Sequence, residues 1–147
     1  MKKRLRTLWV PLVITTLVAG CGGDDTMEPE PPAVEPPPNL SGTYDLQSVT
    51  QSGLTLGAPP AMGTFVVSQT SSSGDTASGT MSYNVSIPDF GIMLADEGTY
   101  TIRTDGSWQQ NGTEVQALGT YTLAGNVLTV MVTEPAVAVS TTVWRRQ

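Results

Sequence analysis

Residues 80–87 alternate without a break: Met81, Tyr83, Val85 and Ile87 are large and apolar, and Thr80, Ser82, Asn84 and Ser86 between them are small and polar. A period of two is what a strand needs to turn one face to a core and the other to water, whereas a helix would scatter the same residues around its circumference. Further runs share the pattern less strictly at 43–50, 64–70, 99–103, 107–111, 114–123, 127–133 and 137–145. Gly, Asp, Asn, Ser or Pro separates them, β-branched Thr and Val are abundant, and no segment argues for a long helix. About eight short strands at this spacing predict an all-β fold, either a small antiparallel β-barrel or a β-sandwich.

Two turns are well marked. Thr104-Asp105-Gly106-Ser107 carries the Asp-Gly pair that suits a tight hairpin, and Leu123-Ala124-Gly125-Asn126 offers a second between Tyr121 and Leu128. They predict a meander in which sequential strands are neighbours. Residues 71–75, three serines followed by Gly74 and Asp75, read as a loose exposed loop. A unit of Gly, Thr and a large residue recurs at Gly42-Thr43-Tyr44, Gly63-Thr64-Phe65, Gly79-Thr80-Met81, Gly98-Thr99-Tyr100 and Gly119-Thr120-Tyr121. Its spacing is irregular, so it reads as repeated strand-start chemistry and not as a tandem repeat.

The N-terminal quarter has a different character. Lys2, Lys3, Arg4 and Arg6 precede an apolar stretch at 8–17, which is too short to cross a hydrocarbon core needing about twenty residues and reads as a signal-peptide core. Val18-Ala19-Gly20-Cys21 follows, ending in the single cysteine of the chain. These four residues resemble the lipobox of bacterial lipoproteins. The resemblance implies cleavage between Gly20 and Cys21, a diacylglyceryl group on the Cys21 sulfur, and acylation, for instance with palmitate, of the new amino terminus. Two or three acyl chains hold a protein on a membrane where one binds only reversibly. In that family an Asp directly after the cysteine favours inner-membrane retention. Gly22 stands there, so the implied location is the cell envelope, at the outer membrane of a Gram-negative bacterium.

Residues 22–38 hold Pro29, Pro31, Pro32, Pro36, Pro37 and Pro38 among Asp24, Asp25, Glu28, Glu30 and Glu35. Proline propagates neither helix nor ladder and the like charges repel, so the stretch reads as an extended spacer of about 50 Å at ~3.1 Å per residue. The expected organisation is thus a signal peptide at 1–20, a lipidated cysteine and linker at 21–38, and one β domain at 39–147. Cleavage would leave Arg103, Arg145 and Arg146 against all thirteen acidic residues, a balance that opposes nucleic acid and anionic headgroups.

The C-terminal part carries a second resemblance. The run from Gly98-Thr99-Tyr100 through Thr104-Asp105-Gly106-Ser107-Trp108, then Gly119-Thr120-Tyr121 with Gly125-Asn126, and finally Val143-Trp144-Arg145-Arg146, is similar to bacterial lipocalin-like domains. Leu40-Ser41-Gly42-Thr43-Tyr44 occupies the place of the lipocalin Gly-x-Trp strand, with Tyr44 for Trp. In lipocalins a late arginine packs over that Trp, which implies barrel closure by Tyr44 with Arg145, or with Arg146 beside it.

The chain has no histidine, so general acid-base or nucleophilic catalysis lacks its usual partner and no enzyme is expected. Asp89, Asp96 and Glu97 lack the spacing of a calcium loop and read as solvated loop acids, and no metal or other cofactor is expected. The apolar segment 87–94 contains Pro88 and Gly91, and part of it reads as a loop at one barrel end. Phe90, Ile92, Met93 and Leu94, with Trp108, are candidates to line a ligand mouth, the plainer reading being that they cap the core. The expectation is a lipid-anchored envelope protein whose barrel binds a small hydrophobic ligand or an envelope component. Its partners would be the membrane through Cys21 and a small apolar ligand or an envelope protein. The rival is a non-catalytic structural or interaction module without a cavity.

Overall fold

The computed structural model describes residues 34–147, and within them nine strands form one antiparallel sheet that closes on itself. They are β1 (Gly42–Gln51), β2 (Leu54–Gly57), β3 (Met62–Ser73), β4 (Thr76–Ile87), β5 (Ile92–Arg103), β6 (Ser107–Gly112), β7 (Gln116–Ala124), β8 (Val127–Glu134) and β9 (Ser140–Arg146). From β3 to β9 each strand pairs with the next, β3 pairs with β1, and β9 returns to β1 from Tyr44↔Arg146 to Gln51↔Ser140. That last pairing removes the free edge a sandwich would keep, and the fold is an eight-stranded β-barrel with β2 added outside the ring.

β2 has no counterpart in the sequence reading. Four residues are too few to show a period, yet Gln51↔Leu54 pair across Ser52 and Gly53, both at positive φ (52° and 80°), the conformation of a two-residue hairpin. β2 covers the edge of β1 at Ser48–Gln51, beyond the point where β3 departs.

The β3–β4 and β4–β5 hairpins are longer than the sequence patterning predicts. Residues 71–73 are not a loop: they pair with Thr76, Ala77 and Ser78 across a turn of Gly74 and Asp75. Likewise β4 and β5 pair along their whole length, from Thr76↔Arg103 to Ile87↔Ile92. The turn is confined to a 3-10 helix at Pro88–Phe90 and Gly91, so Ile92, Met93 and Leu94 belong to a strand and not to a loop. Backbone ladder bonds extend a strand into positions whose side chains show no burial pattern, which is why periodicity underestimates hairpin length.

Period two assigns the inward faces. Tyr44, Phe65, Met81, Tyr100 and Tyr121, the large members of the recurring unit, are all buried, and the Gly two places before each shares its face. Gly79, Gly98 and Gly119 lie inside strands, not at their starts. A Cβ on Gly98 would run into the Asn111 carbonyl oxygen, and one on Gly119 into that of Met131. At these points neighbouring backbones approach closely enough that only glycine fits, as the bends of a small closed barrel demand.

Candidate functional site

The two ends of the barrel differ. Residues before β1 enter at the end formed by the β3–β4, β5–β6 and β7–β8 turns and the C-terminus, and there the interior is filled. Leu40 is fully buried, and its N–H donates to Gln69 Oε1 at 3.1 Å. The Tyr44 hydroxyl donates to the Leu40 carbonyl at 2.7 Å and accepts from Arg146 Nη2 at 2.6 Å and Nε at 3.1 Å. The Arg146 guanidinium lies 5.1 Å from the Tyr44 ring centre. Arg145 points to solvent, because its neighbour Arg146 pairs with inward-facing Tyr44 and successive residues of β9 alternate sides. Closure therefore belongs to Tyr44 with Arg146, not Arg145. Pro37, assigned to the spacer by its composition, is already buried.

Above this plug lies a layer of aromatic rings. Tyr100 and Trp108 stack with centres 5.3 Å apart and planes 8° off parallel. Phe65 sits 5.2 Å from Trp144 and 6.3 Å from each of Tyr44, Tyr83 and Trp108. Such tilted and offset pairs add to area burial and stiffen the layer.

Toward the other end the rings give way to smaller side chains, and a cavity of about 220 Å³ remains. Val49, Val85, Leu94, Val130 and Val132 wall it, with Phe65, Trp108 and Trp144 below and Val137 and Ala138 near its rim. Its polar groups are few. Thr142 Oγ1 accepts from Trp144 Nε1 at 2.8 Å, Ser140 Oγ donates to the Ala138 carbonyl at 3.1 Å, and Gln110 Nε2 donates to Asp96 at 3.0 Å. A second groove of about 220 Å³ adjoins it between β2 and the tip of the β4–β5 hairpin, sharing Val49, Gln51 and Leu94 and adding Leu54, Leu56, Ile87, Phe90 and Ile92. Two larger depressions, of about 450 and 430 Å³, are shallow polar surface around Ser82, Glu97 and Thr113.

Among the candidate mouth residues, Phe90, Ile92 and Leu94 line the groove and Leu94 also reaches the cavity. They do not cap the core: Phe90 is 55% exposed, Ile92 38% and Leu94 47%. Met93, between two inward positions, faces outward at 84% exposure and lines neither space. Trp108 is buried beneath the cavity. Gly20 and Cys21 lie outside the described residues.

Asp96 is not a solvated loop acid. It is buried on the inward face of β5, where it accepts hydrogen bonds from Gln110 Nε2 and from the backbone N–H groups of Glu97, Glu114 and Val115 at 2.9 to 3.3 Å. Counting back by twos from Tyr100 through Gly98 reaches it, so the signal was present in the alternation. Glu97, one place on, faces solvent, and no group of three or more acidic or sulfur ligands comes together among the described residues. Burial, reinforced by the Asp96 carboxylate, raises the Tyr83 hydroxyl above its ordinary pKa of 10.0, against a hydrogen bond with Gln110 that lowers it.

No family model matches the chain, and neither a curated protein nor a solved structure is similar to it. The class to which it belongs is set by its own geometry, a closed eight-stranded antiparallel barrel filled at one end and hollow at the other.

Proposed function

We propose that this is a lipocalin-like envelope lipoprotein, acylated at Cys21 and held at the outer membrane of a Gram-negative bacterium, whose barrel binds a small hydrophobic ligand. The observation that carries the binding reading is the cavity at the open end with its adjoining groove, lined among others by Leu54, Phe90, Ile92, Leu94 and Val137, each at least 38% exposed. Apolar side chains left exposed together around a recess are the usual mark of a binding site. The lipobox resemblance and the proline-rich acidic stretch before the domain support the anchor. The described residues before β1 enter the barrel at its filled end.

The chain supplies no histidine, and Asp96 is engaged by four protein donors, which favours binding over catalysis. A second reading, a non-catalytic interaction module, draws on the aromatic layer that fills the lower half of the barrel. Native mass spectrometry of the full-length protein extracted from its own envelope separates the two. The expected result is a bound small molecule that is lost in Leu94→Asp and kept in Met93→Asp, together with a doubly or triply acylated Cys21. A ligand-free wild-type protein would favour the interaction module. An unmodified Cys21, or a Cys21→Ser protein that stays on the membrane, would remove the anchor.

A further inference from the structure

Two recesses meet at the open end. The cavity inside the barrel and the groove between β2 and the β4–β5 tip each measure about 220 Å³, and Val49, Gln51 and Leu94 bound both. The divide between them is made of side chains and not of sheet. Neither β1 nor β2 pairs with β4 or β5, so no backbone ladder crosses from one wall to the other, and Gln51 and Leu94 at the junction are both exposed. One molecule can therefore lie in both spaces.

The two spaces share one chemistry. Seven of the nine side chains lining the groove are apolar, and no charged side chain lines either space. Leu54 and Phe90, across the groove from one another, are 53% and 55% exposed, surface that an occupant would remove from water. The basic residues of the described chain, Arg103, Arg145 and Arg146, all stand at the filled end, while Asp89 adjoins Phe90 at the hairpin tip. An anionic group here would find no cation and meet like charge.

Size and shape narrow the occupant further. A cavity of ~150 Å³ holds benzene, so one of about 220 Å³ takes on the order of nine non-hydrogen atoms and the two spaces together about twice that. Two lobes joined across a pair of side chains suit a flexible chain, which bends at every bond, better than a rigid fused-ring system of equal size. The cavity floor of Phe65, Trp108 and Trp144 takes the apolar end of such a chain first.

We infer that the open end holds one uncharged molecule with a single flexible alkyl chain of on the order of twelve carbons or more, its tail inside the barrel and its remainder in the groove against Leu54, Phe90 and Ile92. This rests on the reading of the cavity as a ligand site and adds to it a second compartment outside the ring of strands.

A series of 1-alkanols from six to fourteen carbons tests it on the full-length protein, solubilised in a fused-ring detergent so that no other alkyl chain competes. Binding is followed by the fluorescence of the tryptophans on the cavity. Affinity is expected to rise about fourfold per methylene up to about eight carbons, the fold-change to which ~0.8 kcal/mol converts. Beyond that it should still rise about twofold per methylene to at least twelve, because the groove covers the chain on one side only. Phe90→Ser is expected to lower the ratio of dodecanol to hexanol affinity at least threefold, and Met93→Ser, which lines neither space, to keep it within twofold. Binding of hexanol by each variant shows that it is folded. If affinity climbs to eight carbons and then levels, or if Phe90→Ser leaves the ratio unchanged, the groove inference is overturned and the cavity reading stands. If no alkanol binds, both fall. A tighter complex with dodecanoate than with dodecanol would overturn the requirement for an uncharged ligand.

Discussion

Arg146 donates two hydrogen bonds to the Tyr44 hydroxyl while its guanidinium covers the ring, 102 positions apart in the chain. The pair joins the first and last strands where the barrel closes, and the same hydroxyl holds the Leu40 carbonyl. Arg146→Ala is expected to lower stability by about 2–3 kcal/mol through the lost charged hydrogen bonds and ring contact. Arg145→Ala, at an exposed position, should stay within about 0.5 kcal/mol. Urea unfolding of the two variants checks the contrast, and equal losses would contradict the assignment of closure to Arg146.

Gly98 and Gly119 are sites of close backbone approach. Gly98→Ala or Gly119→Ala should cost about 2–3 kcal/mol, because the added methyl forces two paired strands apart. At Gly57 the nearest atom to an added Cβ is the Gln47 carbonyl oxygen at 3.9 Å, so Gly57→Ala serves as a nearly neutral control. Thermal unfolding of the three variants tests the difference.

Asp96 gathers the β6–β7 turn by accepting from the Glu114 and Val115 amides. Asp96→Ala would leave those donors and Gln110 without their acceptor and should cost about 2–4 kcal/mol. Hydrogen exchange at Glu114 and Val115 should accelerate more than at Ile102, lower on the same strand as Asp96. Uniform acceleration would mean general destabilisation and not a released turn.

Burial raises the pKa of Tyr83, Tyr100 and Tyr121 above 10.0, with Asp96 contributing at Tyr83, the Tyr44 and Tyr121 hydroxyls at Tyr100, and Asp105 at Tyr121. Above that pH the unfolded chain sheds phenolic protons that the folded protein keeps, so stability falls as pH rises. The stabilisation is complete below the unfolded value and is lost as pH climbs through the folded ones. The melting temperature should hold steady up to about pH 10 and then decline, more gently in Tyr100→Phe. A rise above pH 10 would contradict the sign.

Much of the barrel is legible in residues read two at a time. The alternation at 80–87, the Asp-Gly and Gly-Asn turns and the recurring Gly-Thr-large unit place the strands and the faces that meet in the core. The same counting, carried back from Tyr100, would have put Asp96 inside and Met93 outside. It was obscured because Pro88, Gly91 and adjacent acids are loop chemistry, and cross-strand bonds overrode it.

The sequence by itself determined the class of fold, the order of the eight ring strands and most of the side chains that face inward, because period two and turn chemistry are local properties. Only the tertiary structure decided that β9 closes on β1, that Arg146 and not Arg145 covers Tyr44, and that the interior is full at one end and hollow at the other. Those outcomes depend on strand stagger and on how side-chain volumes from distant strands sum at each level of the barrel. No single stretch of sequence carries that sum.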